Sequence, residues 1–393
     1  MNFFKDLSLS SFTAGFVAVL VGFTSSVAIV FQAAQAFQAT PAQITSWMWA
    51  LGLGMGLCSA IPSLILKKPV MVAWSTPGAA VLATAGLAGG FSMAEAVGAF
   101  IACAALITLA GATGWFERVM NHIPMALASA LLAGVLARFG LQAFSAAQTA
   151  LPLVLLMLAS YVIARRLLPR YAVPVTLVAG VTFAAFKGQM AWSAVSFSLA
   201  VPVFTAPQFS VSALVSLALP LFVVTMASQN LPGVAVMRAT GYDMPVSRLI
   251  TMTGLATLVL APFGAFALNF SAITAAICMG PEAHEDPKKR YTAAVSCGAI
   301  YTVLGLFGAV IAGLLTAFPK ELVAVIAGLA LLGSIGNGLA VAVKDESHRE
   351  AALITFLVTL SGVVIAGIGS AFWGVVAGSL ALLVQQYGSR TSD

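Results

Sequence analysis

Residues 67–90, KKPVMVAWSTPGAAVLATAGLAGG, decide how this chain folds. Two lysines precede a short apolar, β-favouring run at 70–74, and the sequence STPG at 75–78 separates that run from a series of small residues with helical character. A bilayer-spanning helix needs ~20 apolar residues, and this one is interrupted by a Pro-Gly pair in its middle. We interpret the stretch as a broken span, in which a short strand leads into a half-helix. A membrane helix with a proline kink is the alternative.

A second stretch, 264–281 (GAFALNFSAITAAICMGP), repeats this pattern. An alternating apolar run again meets polar residues, here Asn269, Ser271 and Thr274, before a half-length segment of small residues. Non-helical backbone survives in a membrane only where protein or a water-filled cavity covers it. Two interrupted segments at corresponding places in two halves of a chain therefore indicate a transporter binding site at mid-membrane depth.

The composition indicates a polytopic membrane protein. Of the 393 residues, 61% are hydrophobic and 8% are charged, whereas soluble domains carry roughly 25% charged residues. The net charge is +6, but the basic residues lie in short clusters between apolar runs. Such clusters are typical of topology signals rather than of a nucleic-acid-binding face. The four cysteines lie in apolar segments without CxxC spacing, so we expect buried thiols and neither disulfides nor a zinc site.

Apolar runs and their charged boundaries predict fourteen membrane segments, with 188–208 as a linker between two halves. The first half holds the segments 12–31, 44–66, the broken 67–90, 94–114, 124–144, 151–163 and 173–186. The second half holds 211–236, 249–266, the broken 264–281, 292–318, 322–343, 351–367 and 372–387. With both broken segments counted as crossings and both termini cytoplasmic, fifteen of the eighteen basic residues lie on the inner side. Removing either broken segment would place the next basic cluster outside.

The two halves repeat with a nearly constant offset. Pro124 and Pro319 are 195 residues apart, and each precedes an Ala-Gly pair. Ser75 and Ser271 are 196 residues apart, and both stand at the break of an interrupted segment. Because seven crossings are an odd number, the second copy enters the membrane from the opposite side, which predicts an inverted repeat.

Four stretches resemble the benzoate:proton symporter family. They are the STPGAA half-helix at 75–80, 228–242 (SQNLPGVAVMRATGY), 269–284 (NFSAITAAICMGPEAH) and 319–333 (PKELVAVIAGLALLG). The resemblance covers nearly the whole chain. It implies the fold shared with uracil and xanthine permeases and sulfate-type anion transporters. This fold is an all-α polytopic membrane protein with fourteen transmembrane segments in a 7+7 inverted repeat, in which short strands precede two half-helices.

The resemblance also implies two domains that move relative to each other. A core domain of 12–114 and 209–318 would move against a gate domain of 115–187 and 319–387, with 188–208 as linker. The implied function is proton-coupled uptake of benzoate or a related aromatic carboxylate across a bacterial inner membrane, with no cofactor, in a protein that is usually a homodimer. An uncoupled anion channel, or a transporter of another small anion or a nucleobase, is the alternative on this fold. A membrane enzyme has less support, because no acid–base or metal constellation lies at membrane depth.

One departure from related folds concerns charge. Nucleobase permeases of this fold carry carboxylates on spans eight and ten, whereas this chain has 228–230 (SQN) and Asn269, Ser271 and Thr274 in those regions. An aromatic acid is ionised at neutral pH, since its carboxyl pKa is near ~4, and a glutamate in the site would repel it. Helix N-termini instead offer unpaired N–H groups and positive dipole ends, each worth about 0.3–1 kcal/mol.

We therefore expect the substrate carboxylate at the N-termini of the two half-helices and its ring on apolar side chains. The candidate substrate-binding residues are Ser75, Thr76, Pro77, Gly78, Ser228, Gln229, Asn230, Asn269, Phe270, Ser271, Ile273, Thr274 and Phe23. The alternative is that these hydroxyls and amides only satisfy local backbone groups.

Two charged residues are further candidates. Arg138 is the one basic residue deep in a predicted span, where a charge is costly and by default functional. Attraction of the anion, pairing with an acid and snorkelling to the interface are its open roles. Glu95, at the outer start of span four, is the candidate proton carrier, against an ordinary glutamate at a helix start. His122, His284 and His348 lie far apart in charged loops, so no metal site is expected, and no P-loop, Rossmann or nucleophile-elbow motif is present.

Overall fold

A computed structural model of the chain describes residues 3–24, 26–88, 90–116, 125–195, 197–281, 283–363, 365 and 370–387. His122 and Pro124, which entered the sequence argument, lie outside the described residues. The helices, in chain order, are α1 (Phe3–Asp6), α2 (Leu9–Thr24), α3 (Val27–Ala36), α4 (Pro41–Leu66), α5 (Thr76–Leu87), α6 (Met93–Ala112), α7 (Met125–Ser145), α8 (Ala147–Leu167), α9 (Ala172–Phe186), α10 (211–239), α11 (Val246–Leu260), α12 (Ala272–Met279), α13 (Tyr291–Leu306), α14 (Gly308–Ala317), α15 (Lys320–Ala342), α16 (Arg349–Ser361) and α17 (Ser370–Tyr387). The two strands are β1 (Val72–Trp74) and β2 (Leu268–Phe270).

The helices have the length and composition of membrane spans. Within the described residues, eight helical stretches are long and apolar enough to cross a membrane, or up to nine if one strongly bent pair is counted as a single span. Shorter apolar helices, among them α5 and α9, lie between these stretches. The chain is thus a mostly helical, polytopic membrane protein. The number of fourteen crossings stays a prediction, because α5 and α12 are shorter than a full bilayer-spanning helix.

The predicted segment 292–318 contains a sharp bend. The helix α13 ends at Leu306, and α14 leaves it at an angle of 68°. Phe307 separates the two helices, and its N–H bonds to Val303 O and Gly305 O tighten the last turn of α13. The sequence does not reveal the bend, because both helices are uniformly apolar and a hydropathy pattern carries no information about direction.

The predicted segment 211–236 forms one helix, α10, with two irregular turns. Leu214–Ala218 and Met226–Asn230 are π-helical, while the residues between and after them are α-helical. The second π-helical turn contains the sequence SQN of the site prediction. Because π-helical turns are rare and occur mostly at functional sites, this geometry marks the segment independently of its sequence.

The two broken segments meet through their strands. β1 and β2 pair antiparallel, with Val72 opposite Phe270, Ala73 opposite Asn269 and Trp74 opposite Leu268. The pair continues at both ends, since Ser75 N donates to Ala267 O and Ser271 N to Met71 O, each at 3.1 Å. The strands are antiparallel, so the half-helices that follow them, α5 and α12, leave the pair in opposite directions.

Side chains from neighbouring helices satisfy the remaining backbone groups of this small sheet. On the β1 side, Val72 N donates to Ser59 Oγ at 3.0 Å and Val70 N to Ser63 Oγ at 2.9 Å. On the β2 side, Leu268 N donates to Thr257 Oγ1 at 3.2 Å. A buried backbone group without a partner costs several kcal/mol in a membrane. These hydroxyls therefore explain how extended backbone persists at the centre of an apolar protein.

The helices pack in two groups. Helices of 9–112 and 211–317 pack mainly against one another, with α4 on α13 and α6 on α11. Helices of 125–186 and 320–387 pack mainly against one another, with α7 on α15 and α16. We call these the first and the second helix group. The boundaries of two moving domains stay a prediction.

Glycines allow the closest of these contacts. A Cβ on Gly52 of α4 would lie 2.5 Å from the Cα of Gly305, and a Cβ on Gly56 would lie 2.6 Å from the carbonyl oxygen of Gly298. Such distances are too short for any side chain, so the α4–α13 contact depends on glycine on both helices. The four cysteines are buried free thiols, as expected.

Candidate substrate-binding site

A cavity of about 400 Å³ lies where the two half-helices begin. The first helix group lines it with the end of β1, the N-termini of α5 and α12 and the second π-helical turn of α10, and the second helix group lines it with α7 and α15. We call it the substrate cavity. Its volume is within the range of roughly 300–1,000 Å³ that small-molecule sites occupy. Because both helix groups contribute walls, a movement of one against the other would change the cavity.

The structure places about half of the candidate residues on the wall of this cavity. The lining candidates are Thr76, Pro77, Ser228, Gln229, Ser271, Ile273 and Thr274. The remaining candidates, Ser75, Gly78, Asn230, Asn269, Phe270 and Phe23, are not among the lining residues. Most of them instead hold the lining residues in place, as their hydrogen bonds and ring contacts show.

At the N-terminus of α5, the hydroxyl of Ser75 is fully engaged within the protein. Ser75 is completely buried, its Oγ accepts a hydrogen bond from Gly78 N at 3.0 Å, and Thr225 Oγ1 donates to the same oxygen at 2.9 Å. Pro77 has no N–H group. Of the first three helical residues of α5, Thr76 is therefore the one whose N–H group is neither bound by the Ser75 cap nor missing because of proline.

At the N-terminus of α12, more donors face the cavity. Ser271 caps the helix by accepting from Thr274 N at 3.4 Å, and this leaves the N–H groups of Ala272 and Ile273 without intrahelical acceptors. Ser271, Ala272, Ile273 and Thr274 all line the cavity. The hydroxyl oxygen of Thr274 is buried and has no hydrogen-bond partner among the described residues. An unpaired buried hydroxyl costs about 1–3 kcal/mol, which a ligand that bonds it would recover.

The two candidate asparagines form hydrogen bonds to the backbone of β2 and of the residue before it. Asn230 Oδ1 accepts from Phe270 N at 2.9 Å, and Asn269 Nδ2 donates to Ala267 O at 3.0 Å. Asn230, Asn269 and Phe270 each have no exposed surface, so the Phe270 ring packs in the interior and does not face the cavity. Asn269 Oδ1 is a second buried oxygen without a partner. These residues fix the direction in which α12 starts.

Sequence reasoning missed several lining residues. Trp74 lines the cavity, its Nε1 donates to Ser26 Oγ at 2.8 Å, and its ring lies 5.2 Å from that of Phe23. The other missed polar residues on the wall are Ser26, Ser129, Tyr301 and Asn337. Trp74 stands directly before the predicted helix start, so its position was a usable signal. Ser26 lies between α2 and α3, and the other three come from apolar helices in which no local pattern distinguishes them.

Arg138 and Glu95 lie outside the substrate cavity. Arg138 Nη1 is 2.5 Å from the position that a Cβ on Gly362 would take, and Gly362, with φ +69°, ends α16. The guanidinium thus lies at the C-terminal, electronegative end of a helix in the second helix group. Glu95 forms a capping box at the start of α6, where it accepts from Ser92 N at 2.9 Å while Glu95 N donates to Ser92 Oγ at 3.2 Å.

The lining residues of the substrate cavity include no Asp, Glu, Lys, Arg or His. Its electrostatic character therefore comes from backbone and hydroxyl dipoles, with positive helix ends directed at the centre. Apolar walls come from residues such as Trp74, Met55, Leu132, Leu136, Ile273 and Leu331. A site of this kind suits a small ligand with one anionic end and one apolar body.

The comparison with known proteins agrees with this geometry. The model of the BenE family, described as "Benzoate membrane transport protein", matches residues 5–384. The chain belongs to the BenE family. Members of this family are membrane transporters, so the chain is a transporter and not an enzyme. The resemblance noted from the sequence is confirmed.

Two relatives show how far the BenE similarity extends. The chain is 48% identical to the inner membrane protein YdcO of Escherichia coli strain K12 over 371 residues, which cover 94% of each chain. It is 41% identical to the benzoate membrane transport protein of Acinetobacter baylyi over 380 residues, which cover 97% of this chain and 96% of the relative. Nearly the whole chain is therefore BenE-like.

A solved structure shows the fold. The transmembrane domain of the cyanobacterial bicarbonate transporter BicA is similar over 98% of both chains, with a TM-score of 0.55 and 14% identity. At this identity the likeness concerns the fold alone. The two proteins therefore share a fold.

Proposed function

We propose that the protein takes up benzoate or a closely related aromatic carboxylate together with a proton. The observation that carries this proposal is the N-terminus of α12, which lies on the wall of a mostly apolar cavity. Two N–H groups there lack intrahelical acceptors, and the buried Thr274 hydroxyl has no hydrogen-bond partner among the described residues. A carboxylate accepts hydrogen bonds from all three groups, and an aromatic ring suits the apolar walls. The name of the Acinetobacter baylyi relative supports the same substrate.

The fourteen crossings and the inverted repeat are part of this proposal. β1 and β2 are separated by 196 residues, as are the cap residues Ser75 and Ser271, and the strands pair antiparallel about Ala73 and Asn269. An antiparallel pair of equivalent segments is what a two-fold axis in the membrane plane produces. On this fold the first helix group is the core domain and the second is the gate domain, and transport is the movement of one against the other.

The proposal also includes the orientation of the chain in the membrane and its assembly. The distribution of basic residues favours both termini in the cytoplasm. The name of the Escherichia coli relative favours the inner membrane. The resemblance to this fold favours a homodimer.

Proton coupling is proposed for an energetic reason. Bringing one negative charge inward against ~100 mV costs about 2.3 kcal/mol, so accumulation of the anion needs at least one accompanying proton. Among the described residues, no Asp, Glu, Lys, Arg or His lines the substrate cavity. We therefore propose that the proton travels with the substrate carboxylate or with a water beside it. The same lack of charged residues favours the second candidate function, an uncoupled anion channel.

Uptake of radiolabelled benzoate into proteoliposomes separates the two functions. We expect accumulation when the outside is acidified, and little response to a potassium–valinomycin potential, since one proton and one monoanion together carry no net charge. A channel would respond to the potential and not to the pH gradient. Protein-free liposomes are the necessary control, because neutral benzoic acid crosses lipid unaided.

Glu95→Gln in the same assay tests the remaining carrier candidate. The capping box position of Glu95, outside the substrate cavity, leads us to expect uptake that still depends on the proton gradient. Ser92→Ala, which removes the other half of the capping box, is the matched control. If Glu95→Gln alone abolished proton dependence, the proton would be assigned to Glu95.

A further inference from the structure

A second cavity, of about 460 Å³, adjoins the substrate cavity. Three residues line both: Ile273 at the start of α12, and Ala330 and Asn337 on α15. The other residues of the second cavity are Val21, Tyr161, Arg165, Pro169, Ala172, Val173, Pro174, Ala276, Ile277 and Gly333. The wall is thus shared between α2 and α12 of the first helix group and α8, α9 and α15 of the second.

The second cavity lies toward one face of the protein. Its wall follows α12 from Ile273 through Ala276 to Ile277, away from the strand pair. A third cavity, of about 430 Å³, reaches Leu87 at the end of α5 and shares no lining residue with the substrate cavity. Because α5 and α12 leave the strand pair in opposite directions, these two cavities lie toward opposite faces. Of these two cavities, the one beside α12 shares lining residues with the substrate cavity and the other does not.

Arg165 is the one charged side chain on the wall of the second cavity. Its Nη2 atom lies 3.8 Å from the position that a Cβ on Gly333 would take, so the guanidinium reaches from α8 across to α15. Within the part of the chain that the structure describes, no carboxylate is within ion-pair distance of it. The neighbouring Arg166 is also exposed but does not line the cavity.

We propose that the second cavity is the passage between the substrate cavity and the cytoplasm, and that Arg165 forms a second binding station for carboxylate anions in it. Ile273, Ala330 and Asn337 form the neck between the two stations. This inference rests on the proposed function for the identity of the anion, and on the basic-residue distribution for the side. Guanidinium binds carboxylate through two parallel hydrogen bonds, and a cation beside an apolar passage lowers the energy of an anion within it.

A cysteine reporter tests the station without relying on transport. Val173→Cys places a thiol on the wall of the second cavity, and the four native cysteines are buried and give a low background. The purified full-length protein is treated with an anionic and a cationic methanethiosulfonate reagent of similar size, and the ratio of the two rates is measured. We combine the reporter with Arg165→Gln, with Arg165→Lys and with the matched control Arg166→Gln.

We expect the anionic reagent to react faster than the cationic one. Arg165→Gln should lower the ratio of the anionic to the cationic rate by about three- to tenfold. Arg165→Lys should keep most of the preference, and Arg166→Gln should leave it within about a factor of two. Benzoate should slow modification of the reporter when Arg165 is present and lose this effect in Arg165→Gln. Equal ratios in the Arg165→Gln and Arg166→Gln proteins, or no modification of the reporter at all, would overturn the proposal.

A replacement reporter and two further outcomes separate the station from the transport function. If Val173→Cys fails to fold, Ala276→Cys on the opposite wall is the replacement reporter. In one outcome, the charge preference depends on Arg165, and acetate or another monocarboxylate protects the reporter while benzoate does not. This result would retain the station and reject benzoate as the substrate. A preference independent of Arg165 in a protein that still takes up benzoate would reject the station and retain the transport function.

Discussion

The N-termini of α5 and α12 are built from the same local parts but present different groups to the substrate cavity. Each follows a three-residue strand, and each is capped by a serine whose Oγ accepts the N–H three residues later. At α5, Ser75 is completely buried, Thr225 occupies its oxygen, and Pro77 removes one donor. At α12, Ser271 and Thr274 line the cavity, and the Thr274 hydroxyl has no partner.

If the chain is the inverted repeat proposed above, this difference predicts that the first copy maintains the scaffold and the second binds the ligand. Two copies related by an axis would otherwise present equal sets of donors. Proline at the second helical residue of α5 and isoleucine at the same place in α12 are enough to separate their roles, because the missing N–H is one of the few that a helix end offers. Substitutions that exchange or remove these features test the comparison directly.

The largest effect is expected from Ile273→Pro, which gives α12 the donor set of α5. Proline is tolerated in the first turn of a helix, as Pro77 is in α5, so the fold should persist. Loss of one hydrogen bond to a charged group is worth about 1.5–3 kcal/mol, so the Kd for benzoate should rise roughly 10- to 100-fold. Equilibrium binding to the purified protein measures this.

Ile273→Ala is the control for the lost side chain, since it keeps the N–H group. The two variants should have similar melting temperatures and differ in affinity. The reciprocal change, Pro77→Ala, adds a donor at α5 and should leave affinity equal or higher. If Ile273→Pro and Ile273→Ala bind equally well, the N–H of residue 273 does not contact the substrate and the contrast between the helix ends loses its main support.

A smaller effect is expected from Thr274→Val, which removes the hydroxyl but keeps the shape of the side chain. The affinity for benzoate should fall about three- to tenfold, while the melting temperature should not fall, because the hydroxyl has no partner in the unliganded protein. Thr225→Val is the matched control. Its hydroxyl is also buried but donates to Ser75 and lies outside the cavity, so stability should fall and affinity should hold. If Thr225→Val lowered the affinity and Thr274→Val did not, the substrate would be assigned to the N-terminus of α5 and not to that of α12.

The smallest effect on binding is expected from Ser75→Ala. Loss of the cap should lower the free energy of unfolding by about 1 kcal/mol, and Thr225 would lose its acceptor as well. The affinity for benzoate should change by less than about a factor of three, since Ser75 does not line the cavity. Ser271→Ala should lower stability similarly and weaken binding more. Paired thermal unfolding and binding curves check this, and equal losses of affinity would make the two ends equivalent.

Much of the central architecture was accessible from local sequence. The two strands, their helices and the caps Ser75 and Ser271 followed from short β-favouring runs that meet polar and small residues, because such patterns act within a few residues. The bend after Leu306 and the π-helical turns of α10 were not accessible, since neither leaves a mark in an apolar sequence.

Among the site residues, the sequence identified most of those at the starts of the two half-helices and none of those in the second helix group. Ser129 and Asn337 lie on apolar helices far from the breaks, and only the packing of α7 and α15 against the half-helices brings them to the cavity. The sequence also could not distinguish residues on the wall from residues behind it. Phe270 and Asn269 were candidates of equal standing with Ser271, and β-strand alternation alone does not tell which face meets a cavity.

The sequence by itself determined that the chain is a membrane protein with two interrupted segments, because hydropathy and backbone-breaking residues are local properties. It also determined the family, through motifs around those same breaks. Only the tertiary structure decided which hydroxyls are free to meet a ligand, and that the substrate cavity joins a second one lined by Arg165. Whether a polar group is satisfied depends on what packs against it, and a partner can come from a distant part of the chain, as Thr225 does for Ser75.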